Sequence, residues 1–298
     1  AYPSSKPKKP CIKPCNLKRR EFFKLTKKRV DLHIHTNASN RNWGVKKLIE
    51  EVIKKEIKVF SITDHDEICN VKEMLNQKLD DDLNFLKGVE ISSSLDGIEF
   101  HITAYNFDID NKELNNLLKL NRKTRDDFNK KIIRYFEKVN NLKLLNQYNE
   151  YKHEHKRGGW KSLNFLIDKR LVTDLNDFFV KVANMEAEMT FLHPKKIIEI
   201  VHQANGFAFL AHPASYFKKK ALSKDYLRQF AAMGIDGVEA YSPYLDDLED
   251  ADYYINFCQN NNLMFSAGSD CHGDFIEERK VGKPSVFLED INIDKIID

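Results

Sequence analysis

Metal-binding residue types recur at the ends of short apolar runs along this chain. A single histidine in such a place is most often a buried residue held by hydrogen bonds, but here six runs each lead into a ligand type. Side chains at positions i and i+2 of a strand share one face, so His33 and His35 can reach one point. The same spacing relates Asp270 to His272. The complete set comprises His33, His35, His65, Glu90, His101, His212, Asp270 and His272.

The ligand types indicate which metals this set would hold. Imidazole and carboxylate groups without a thiolate suit zinc, manganese or iron better than calcium or magnesium. Ligand types at the ends of six separate runs are hard to explain by hydrogen bonding in a core alone. The sequence therefore predicts one shared centre of divalent metal ions.

Strand and helix patterns alternate along most of the chain, which is typical of an α/β barrel or sheet. The carboxyl ends of parallel strands meet at one edge of such a structure, so ligands at these ends would gather there. The predicted strands lie at about 29–36, 57–63, 83–93, 98–107, 207–211, 235–241 and 263–267.

Residues from about 111 to 192 have a different character. Apolar residues recur there at three- and four-residue steps with few β-branched runs, which is typical of amphipathic helices. We therefore expect a helical insertion within a main domain that covers residues 30–298. The recurring residues include Leu114, Leu117, Leu118, Phe128, Ile132, Ile133, Phe136 and Val139.

Composition describes a globular chain of 298 residues, 42% hydrophobic and 31% charged. No apolar stretch approaches the roughly 18 residues of a membrane span, so we expect no contact with a membrane. Five cysteines, an odd number in a long chain, indicate no disulfide framework. This favours a reducing compartment, and we expect a cytoplasmic protein.

Residues 1–29 form a basic, proline-containing tail. They hold eleven lysines and arginines against one glutamate, a charge of +10. Because the whole chain has a net charge of +3, the remaining residues carry −7. Its four prolines resist helix and strand alike. Two interpretations remain open: an arm that contacts nucleic acid or another polyanion, or a solvated or processed terminus.

Six motifs together carry a resemblance to a known family. They are His33-Ile34-His35-Thr36, Thr63-Asp64-His65-Asp66, Gly88-Val89-Glu90, the run that contains His101, Ala211-His212-Pro213 and Gly268-Ser269-Asp270-Cys271-His272. In this order the chain resembles the polymerase and histidinol phosphatase (PHP) family of metal-dependent phosphoesterases. It is most similar to the tryptophan-operon-associated branch, whose studied members are nucleoside 3′,5′-bisphosphate phosphatases and 5′→3′ exoribonucleases. The resemblance implies an α/β fold, a distorted (β/α)7 barrel, with two or three divalent ions at its mouth.

Carried over residue by residue, the resemblance also implies a ligand set for each metal. The implied ligands are His33, His35, Glu90 and Asp270 for the first ion, Glu90, His101 and His212 for the second, and His65 and His272 for the third. The family places a further Asp in the third site, where this chain has Asn40. A neutral amide oxygen binds a divalent cation more weakly than a carboxylate does. The third site would therefore be weaker, hold another metal, or fill only with substrate.

The chemistry expected of such a centre is hydrolysis of a phosphate ester. Two cations that share Glu90 can hold a hydroxide between them and neutralise phosphate oxygens. His65 and Glu90 are therefore the first candidates for catalytic residues. Asp64 is a further candidate, because it could orient the neighbouring imidazole of His65. Capping of the next turn is an equally good interpretation of Asp64.

A cation that binds substrate phosphate is expected within the insertion. Arg157 precedes a glycine pair and Trp160 in Arg157-Gly158-Gly159-Trp160. A guanidinium beside flexible glycines suits a phosphate contact, and the indole could stack on a base. The alternative is a turn between helices with a solvated Arg157 and a packed Trp160.

Three functions compete on these patterns. The first is a metal-dependent phosphoesterase that acts on a small phosphorylated substrate, a phosphomonoester of a nucleotide, or on a nucleic-acid end. The second is a histidinol-phosphate phosphatase with the same fold and metals. The third is a catalytically weak metal-binding module, which the substitution at Asn40 would favour and the other retained ligands oppose.

Overall fold

The computed structural model describes residues 27–39, 42–217 and 221–297. Most of the basic tail, residues 1–29, and with it the predicted polyanion contact, therefore lies outside the described residues. Of its last three positions, Lys27 pairs with Glu289 at 3.3 Å, and Arg29 begins the first strand and donates to the carbonyl of Gly282 at 2.8 Å.

Eight strands of the described residues form one sheet that curls into a nearly closed barrel. They are β1 (Arg29–Ile34), β2 (Ile57–Ile62), β3 (Asn84–Leu95), β4 (Ile98–Tyr105), β5 (Phe207–Leu210), β6 (Gly237–Tyr241), β7 (Met264–Ala267) and β8 (Val286–Phe287). Their order is β7-β6-β5-β4-β3-β2-β1-β8. The amide of His35 donates to the carbonyl of Cys271 at 3.0 Å, which brings the ends of β1 and β7 together. The seven predicted strands are confirmed, and the short β8 is an addition.

Helices follow most strands and pack on the outside of the barrel. Val45, Leu48 and Val52 are buried at the spacing of one helical face and hold α1 against β2. The helices outside the predicted insertion are α1 (Val45–Lys54), α2 (Cys69–Met74), α7 (Pro194–Gln203), α8 (Lys224–Ala232), α9 (Ala251–Asn260) and α10 (Asp294–Ile297). Among the described residues, no helix combines the length and apolar character needed to cross a membrane.

The strand β4 departs from the expected parallel arrangement, since it runs antiparallel to both β3 and β5. The reason is the two-residue turn Asp96-Gly97, in which both residues have positive φ, 52° and 77°. This is the geometry of a tight hairpin, and two residues cannot return a chain to a parallel position. His101 therefore lies in the first half of its strand, and the expectation that every ligand follows the end of a parallel strand is wrong for β4.

The stretch predicted as an insertion contains α3 (Lys112–Asn140), α4 (Leu145–Glu150), α5 (Lys161–Asp168) and α6 (Leu175–Val182). Asn111 caps α3 by accepting from the amide of Leu114 at 3.0 Å, and Asn141 ends it in the left-handed conformation. These helices enclose a hydrophobic cluster separate from that of the barrel. Its buried members are Ile132, Ile133, Phe136, Leu144, Tyr148, Leu163, Phe165, Leu166, Val172 and Phe178.

Candidate metal centre

The carboxylate of Glu90 lies at the middle of the site, fully buried on β3. Five imidazoles from four strands or strand ends converge on its two oxygens. His101 Nδ1 and His212 Nε2 each lie 2.8 Å from Oε1, while His65 Nδ1, His35 Nε2 and His33 Nε2 lie 2.8, 3.3 and 3.4 Å from Oε2. The structure thus brings together residues that are up to 179 positions apart in the sequence.

Four ligand atoms surround the predicted first metal position. His33 Nε2 and His35 Nε2 are 3.2 Å apart, and Asp270 Oδ1 lies 3.0 Å from the second and 3.7 Å from the first. Nitrogen and oxygen ligands about 2.0–2.2 Å from a tetrahedral ion stand roughly 3.3–3.6 Å from one another. With Glu90, these side chains therefore have the spacing of a single ion's ligand shell.

The second predicted ligand set is also compact. His101 Nδ1 and His212 Nε2 are 3.4 Å apart, and both contact the same oxygen of Glu90. The hairpin geometry explains the meeting of His101 with Glu90, because residues that oppose one another across an antiparallel pair share a face. His101 pairs with Ser92, two positions beyond Glu90.

The third set is described only in part. Ligand atoms of His35, His65 and His272 all lie within 4.8 Å of one another, so His35 joins the two predicted histidines there. Asn40 lies outside the described residues, and its place in this shell stays a prediction.

The buried polar atoms indicate that the centre fits cations. Glu90 Oε2 and His65 Nδ1 lie 2.8 Å apart, yet neither has a hydrogen-bond partner of acceptable geometry among the described residues. A buried polar atom without a partner costs about 1–3 kcal/mol. A cation between imidazole nitrogens and a carboxylate oxygen removes that cost, and the donor set suits zinc, manganese or iron.

Glu90 and His65 have protonation states that suit metal binding, whereas His33 and His101 must release a proton to bind a cation. Although burial lowers the pKa of both imidazoles, Glu239 and Glu90 raise the pKa of His33 well above its usual range, and Glu90 and Glu99 raise the pKa of His101 to about 10. Burial would raise the pKa of Glu90, but the imidazoles of His65, His101 and His33 outweigh it and hold that pKa well below its usual range. Burial lowers the pKa of His65 to about 3. An ionised carboxylate and a neutral imidazole are the forms that bind metal.

Two of the predicted ligands have backbone conformations that L-residues rarely adopt. The φ angles of His212 and Asp270 are 29° and 44°. Such conformations cost of order 1–3 kcal/mol and persist where surrounding contacts determine them, often at functional sites. In His212, the amide donates to Glu239 Oε2 at 2.9 Å and Nδ1 lies 2.8 Å from Ser215 Oγ.

Glu239 also lies in the candidate centre, although the sequence patterns did not predict it. It lies on β6, is 1% exposed, and accepts from His33 Nδ1 at 2.8 Å, so that His33 Nε2 faces the centre. A side chain at Gly268 would collide here, because its Cβ would lie 2.2 Å from that of His33. The available signal was a glutamate inside the apolar run Val238-Glu239-Ala240.

The carboxylate of Asp64 supports the turn that follows β1. Its carboxylate accepts from the amide and hydroxyl of Thr36 at 2.6 and 2.5 Å and from Ser39 Oγ at 2.5 Å. Ser39 Oγ lies 3.4 Å from His35 Nδ1. Asp64 therefore holds the turn 36–39 after β1, whereas the sequence had suggested the turn after His65, and through Ser39 it supports His35.

Tyr244 and Arg279 hold the outer oxygen of Asp270 and were also missed. The tyrosine hydroxyl and the arginine Nη1 donate to Oδ2 at 2.5 and 2.7 Å, and the guanidinium lies 4.7 Å from the tyrosine ring centre. The other oxygen, Oδ1, faces His35. Arg279 is thus a cation that lies directly at the metal centre.

A cavity of about 450 Å³ opens beside His65 towards the helices α3, α5 and α6. Trp160 lines it, in edge contact with Phe178 at 5.3 Å between ring centres. Arg122 and Arg125 of α3 line the side near the metal centre. The other apolar lining residues are Ala38, Phe128, Ile132, Tyr148, Phe178, Phe179, Val182 and Met189.

Arg157 occupies a different place from Trp160. Its guanidinium pairs with Asp168 at 2.9 Å and donates to the hydroxyl of Tyr151 at 3.3 Å. Arg122 and Arg125, and not Arg157, line the described part of the cavity. The phosphate contact of Arg157 stays a prediction. The sequence offered no pattern that would have identified Arg122 and Arg125 as cavity residues, because each is one of many charged residues on a helix.

Comparisons with known proteins agree with this geometry. A family model described as PHP domain matches residues 31–166. The chain is 25% identical over 255 residues to a 5′-3′ exoribonuclease of Haemophilus influenzae, which covers 82% of this chain and 90% of that protein. It is 23% identical over 279 residues to a 3′,5′-nucleoside bisphosphate phosphatase of Chromobacterium violaceum, covering 85% and 90%.

Solved structures show the same fold. An amidohydrolase from Chromobacterium violaceum, determined with bound sulfate and no metal, superposes with a TM-score of 0.70 at 22% identity, over 83% of this chain and 89% of that one. A candidate metal-dependent phosphoesterase from Bifidobacterium adolescentis gives 0.69 at 20% identity, over 90% and 93%. With the ligand geometry, these likenesses lead to one conclusion: residues 31–166 match the PHP domain, and the chain has the fold of a PHP-type barrel.

Proposed function

We propose that this protein hydrolyses a phosphomonoester of a nucleotide, or cleaves the end of an oligonucleotide, with the help of two or three divalent cations. It is an enzyme, a hydrolase of phosphate esters. The observation that carries the proposal is the single buried carboxylate of Glu90 with five imidazoles on its two oxygens. Such a shared carboxylate suits a centre in which two cations act on one phosphate.

The chain's own residues would arrange the reaction in a definite way. Cations held at Glu90 would supply Lewis acidity towards phosphate oxygens and lower the pKa of a bound water. Asp270 keeps one oxygen towards the centre because Tyr244 and Arg279 occupy the other. Arg279, 24% exposed, also offers a positive charge to an entering phosphate.

The cavity beside His65 supports a nucleotide as the substrate. Its aromatic wall, which includes Trp160, offers surfaces on which a base can stack, and its arginines offer positive charge near the phosphate. Relatives named for exoribonuclease and nucleoside bisphosphate phosphatase activity agree with this choice. Zinc, manganese and iron are the cations proposed from the ligand types.

A product-resolved screen tests the proposal. Purified protein, with each of the three metals in turn, is offered a nucleoside 3′,5′-bisphosphate, a 5′-phosphorylated oligoribonucleotide, histidinol phosphate and p-nitrophenyl phosphate. We expect release of phosphate or of terminal nucleotides from the first two, at much higher kcat/KM than from the others. Glu90→Gln, which keeps the size of the side chain, is the control for contaminating phosphatases.

Other outcomes would replace the proposal with a named alternative. A clear preference for histidinol phosphate would identify the second function considered above. Full metal content without turnover of any phosphate ester would identify a binding module.

A further inference from the structure

In three of the predicted ligand histidines, the ring nitrogen on the side away from Glu90 lies near a polar side chain. The ring nitrogen that faces away from Glu90 lies near Glu239 in His33, near Ser215 in His212 and near Glu99 in His101. Such partners fix the tautomer and the orientation of a metal-binding imidazole. For His101, the distance between Nε2 and Glu99 Oε1 is 3.0 Å, and Nδ1 is left to face Glu90.

Glu99 differs from the other two partners because it contacts a helix outside the barrel. Arg125 Nη2, on α3, donates to the same oxygen of Glu99 at 3.0 Å. Both side chains are 29% exposed and both line the cavity. Glu239, by contrast, is enclosed within the barrel.

The position of Arg125 is itself fixed on several sides. Its Nη2 donates to Ser92 Oγ at 2.5 Å and lies 3.6 Å from Asp66 Oδ2. Its guanidinium also lies 5.2 Å from the ring centre of Phe191. A guanidinium with this many contacts is held in place and can in turn hold Glu99.

The same turn of α3 is tied to the segment that follows His65. Asn121 Nδ2 donates to Asp66 Oδ1 at 2.8 Å and to the carbonyl of Ser92 at 2.9 Å. Asp66 has a φ of 52° and also accepts from the amide and hydroxyl of Ser92. The helix is therefore docked on the two strands that carry Glu90 and His101.

We propose that Glu99 and Arg125 are positioning residues of the second metal site: Arg125 holds Glu99, and Glu99 holds His101 with Nδ1 directed at Glu90. The inference rests on the proposed metal-dependent function. Through this chain of contacts, α3 is part of the metal centre, and the stretch predicted as an insertion does more than cover a substrate.

The test measures metal affinity in the full-length protein, without substrate. Metal-free protein is titrated with zinc and with cobalt against a competing chelator, and cobalt absorption reports the ligand geometry. In Glu99→Gln we expect one cation to bind about 10- to 100-fold more weakly, with a changed cobalt spectrum, because a lost outer partner of a ligand histidine has effects of that size. The cation held by His33, His35 and Asp270 should keep its affinity.

Arg125→Met and a double variant separate positioning from a general loss of structure. Arg125→Met should lower the affinity for the same cation by a smaller factor. Glu99→Gln combined with Arg125→Met should bind it no more weakly than Glu99→Gln alone, because Arg125 acts through Glu99. Lys123→Met is the matched control, since Lys123 is an exposed cation of the same helix that pairs with Asp127; its metal affinities should be those of the unaltered protein.

Two results would overturn the inference. One is unaltered affinity for both cations in Glu99→Gln, and the other is an additive loss in the double variant. If the unaltered protein bound two cations, only the positioning roles would fail. If it bound none, the proposed metal-dependent function would fail with them.

Discussion

The candidate metal centre and the cavity beside it differ in burial: the centre is enclosed by strands, whereas part of the cavity wall is an exposed short helix. Glu90 and His33 are fully buried, and their side chains lie against residues of several strands. Phe179, at the cavity, is 54% exposed and belongs to a short helix with Val180 67% exposed. A centre that must hold reacting groups within a fraction of an ångström needs such support from rigid strands. A surface that recognises a base needs area and stacking more than exact placement.

This contrast leads to a general expectation for variants. Changes at the barrel rim should alter metal content and every reaction together. Changes in the cavity should leave the metal in place and alter the choice among substrates.

The largest effect is expected from the first ligand set. His33→Ala and Asp270→Ala should each remove at least one cation per chain and abolish turnover, since each deletes one of four ligand atoms around a single position. Elemental analysis and phosphate release would measure this. Metal content near zero in the unaltered protein, prepared without chelator, would contradict the assignment of the whole set.

Glu239→Gln should have the next largest effect. It keeps the volume but removes the charge that holds His33, so metal affinity or activity should fall about 10- to 100-fold. Glu289→Gln, at an exposed glutamate paired with Lys27, is the matched control and should change neither. Equal effects of the two substitutions would show that Glu239 does not act on the centre.

Trp160→Ala should affect nucleotide substrates more than p-nitrophenyl phosphate. Loss of base stacking at about 1 kcal/mol corresponds to about a fivefold fall in kcat/KM, with metal content unchanged. Trp160→Phe keeps a stacking surface and should recover most of the activity. Equal losses on all substrates would indicate damage to the hydrophobic cluster of these helices.

Asn40→Asp should raise occupancy of the third site, because a carboxylate binds divalent cations better than an amide does. The measurements are metal content per chain and the dependence of activity on the added metal. Unchanged metal content and kinetics would mean that residue 40 is outside the ligand shell.

The smallest effect is expected at Arg157. A phosphate contact would require a ten- to hundredfold loss of kcat/KM in Arg157→Ala, about 1.4–3 kcal/mol. Because Arg157 is 35% exposed and pairs with Asp168, we expect a change of less than about threefold, as is usual for a surface ion pair. Asp168→Asn should have an equally small effect, and a large loss in Arg157→Ala alone would support the predicted phosphate contact.

Several features of the fold and the centre could be predicted because they depend on local periodicity. The i, i+2 spacing of His33 and His35 places both on one strand face whatever the rest of the chain does. The antiparallel course of β4 was also encoded locally, because an Asp-Gly pair such as Asp96-Gly97 between two strand patterns is typical of a tight hairpin. Read as a hairpin signal, these two residues would have placed His101 correctly.

Other contacts in the centre could not be predicted from local patterns, because they form only when the barrel closes. His33 and Glu239 are 206 positions apart, and Asp270 meets Tyr244 and Arg279 from two different loops. A buried carboxylate in an apolar run shows that some partner must exist, since an unpaired charge there is costly, but it does not say which.

The sequence by itself determined the types of ligand and the faces on which they lie, because residue identity and strand period are local properties. Only the tertiary structure decided that five imidazoles share Glu90, that Asp64 supports His35, and that Arg125 reaches Glu99 from α3. Those meetings depend on where strands distant in sequence come together and how a helix docks on them. The physical reason is that the energy of each contact depends on distances set by the packing of the whole chain.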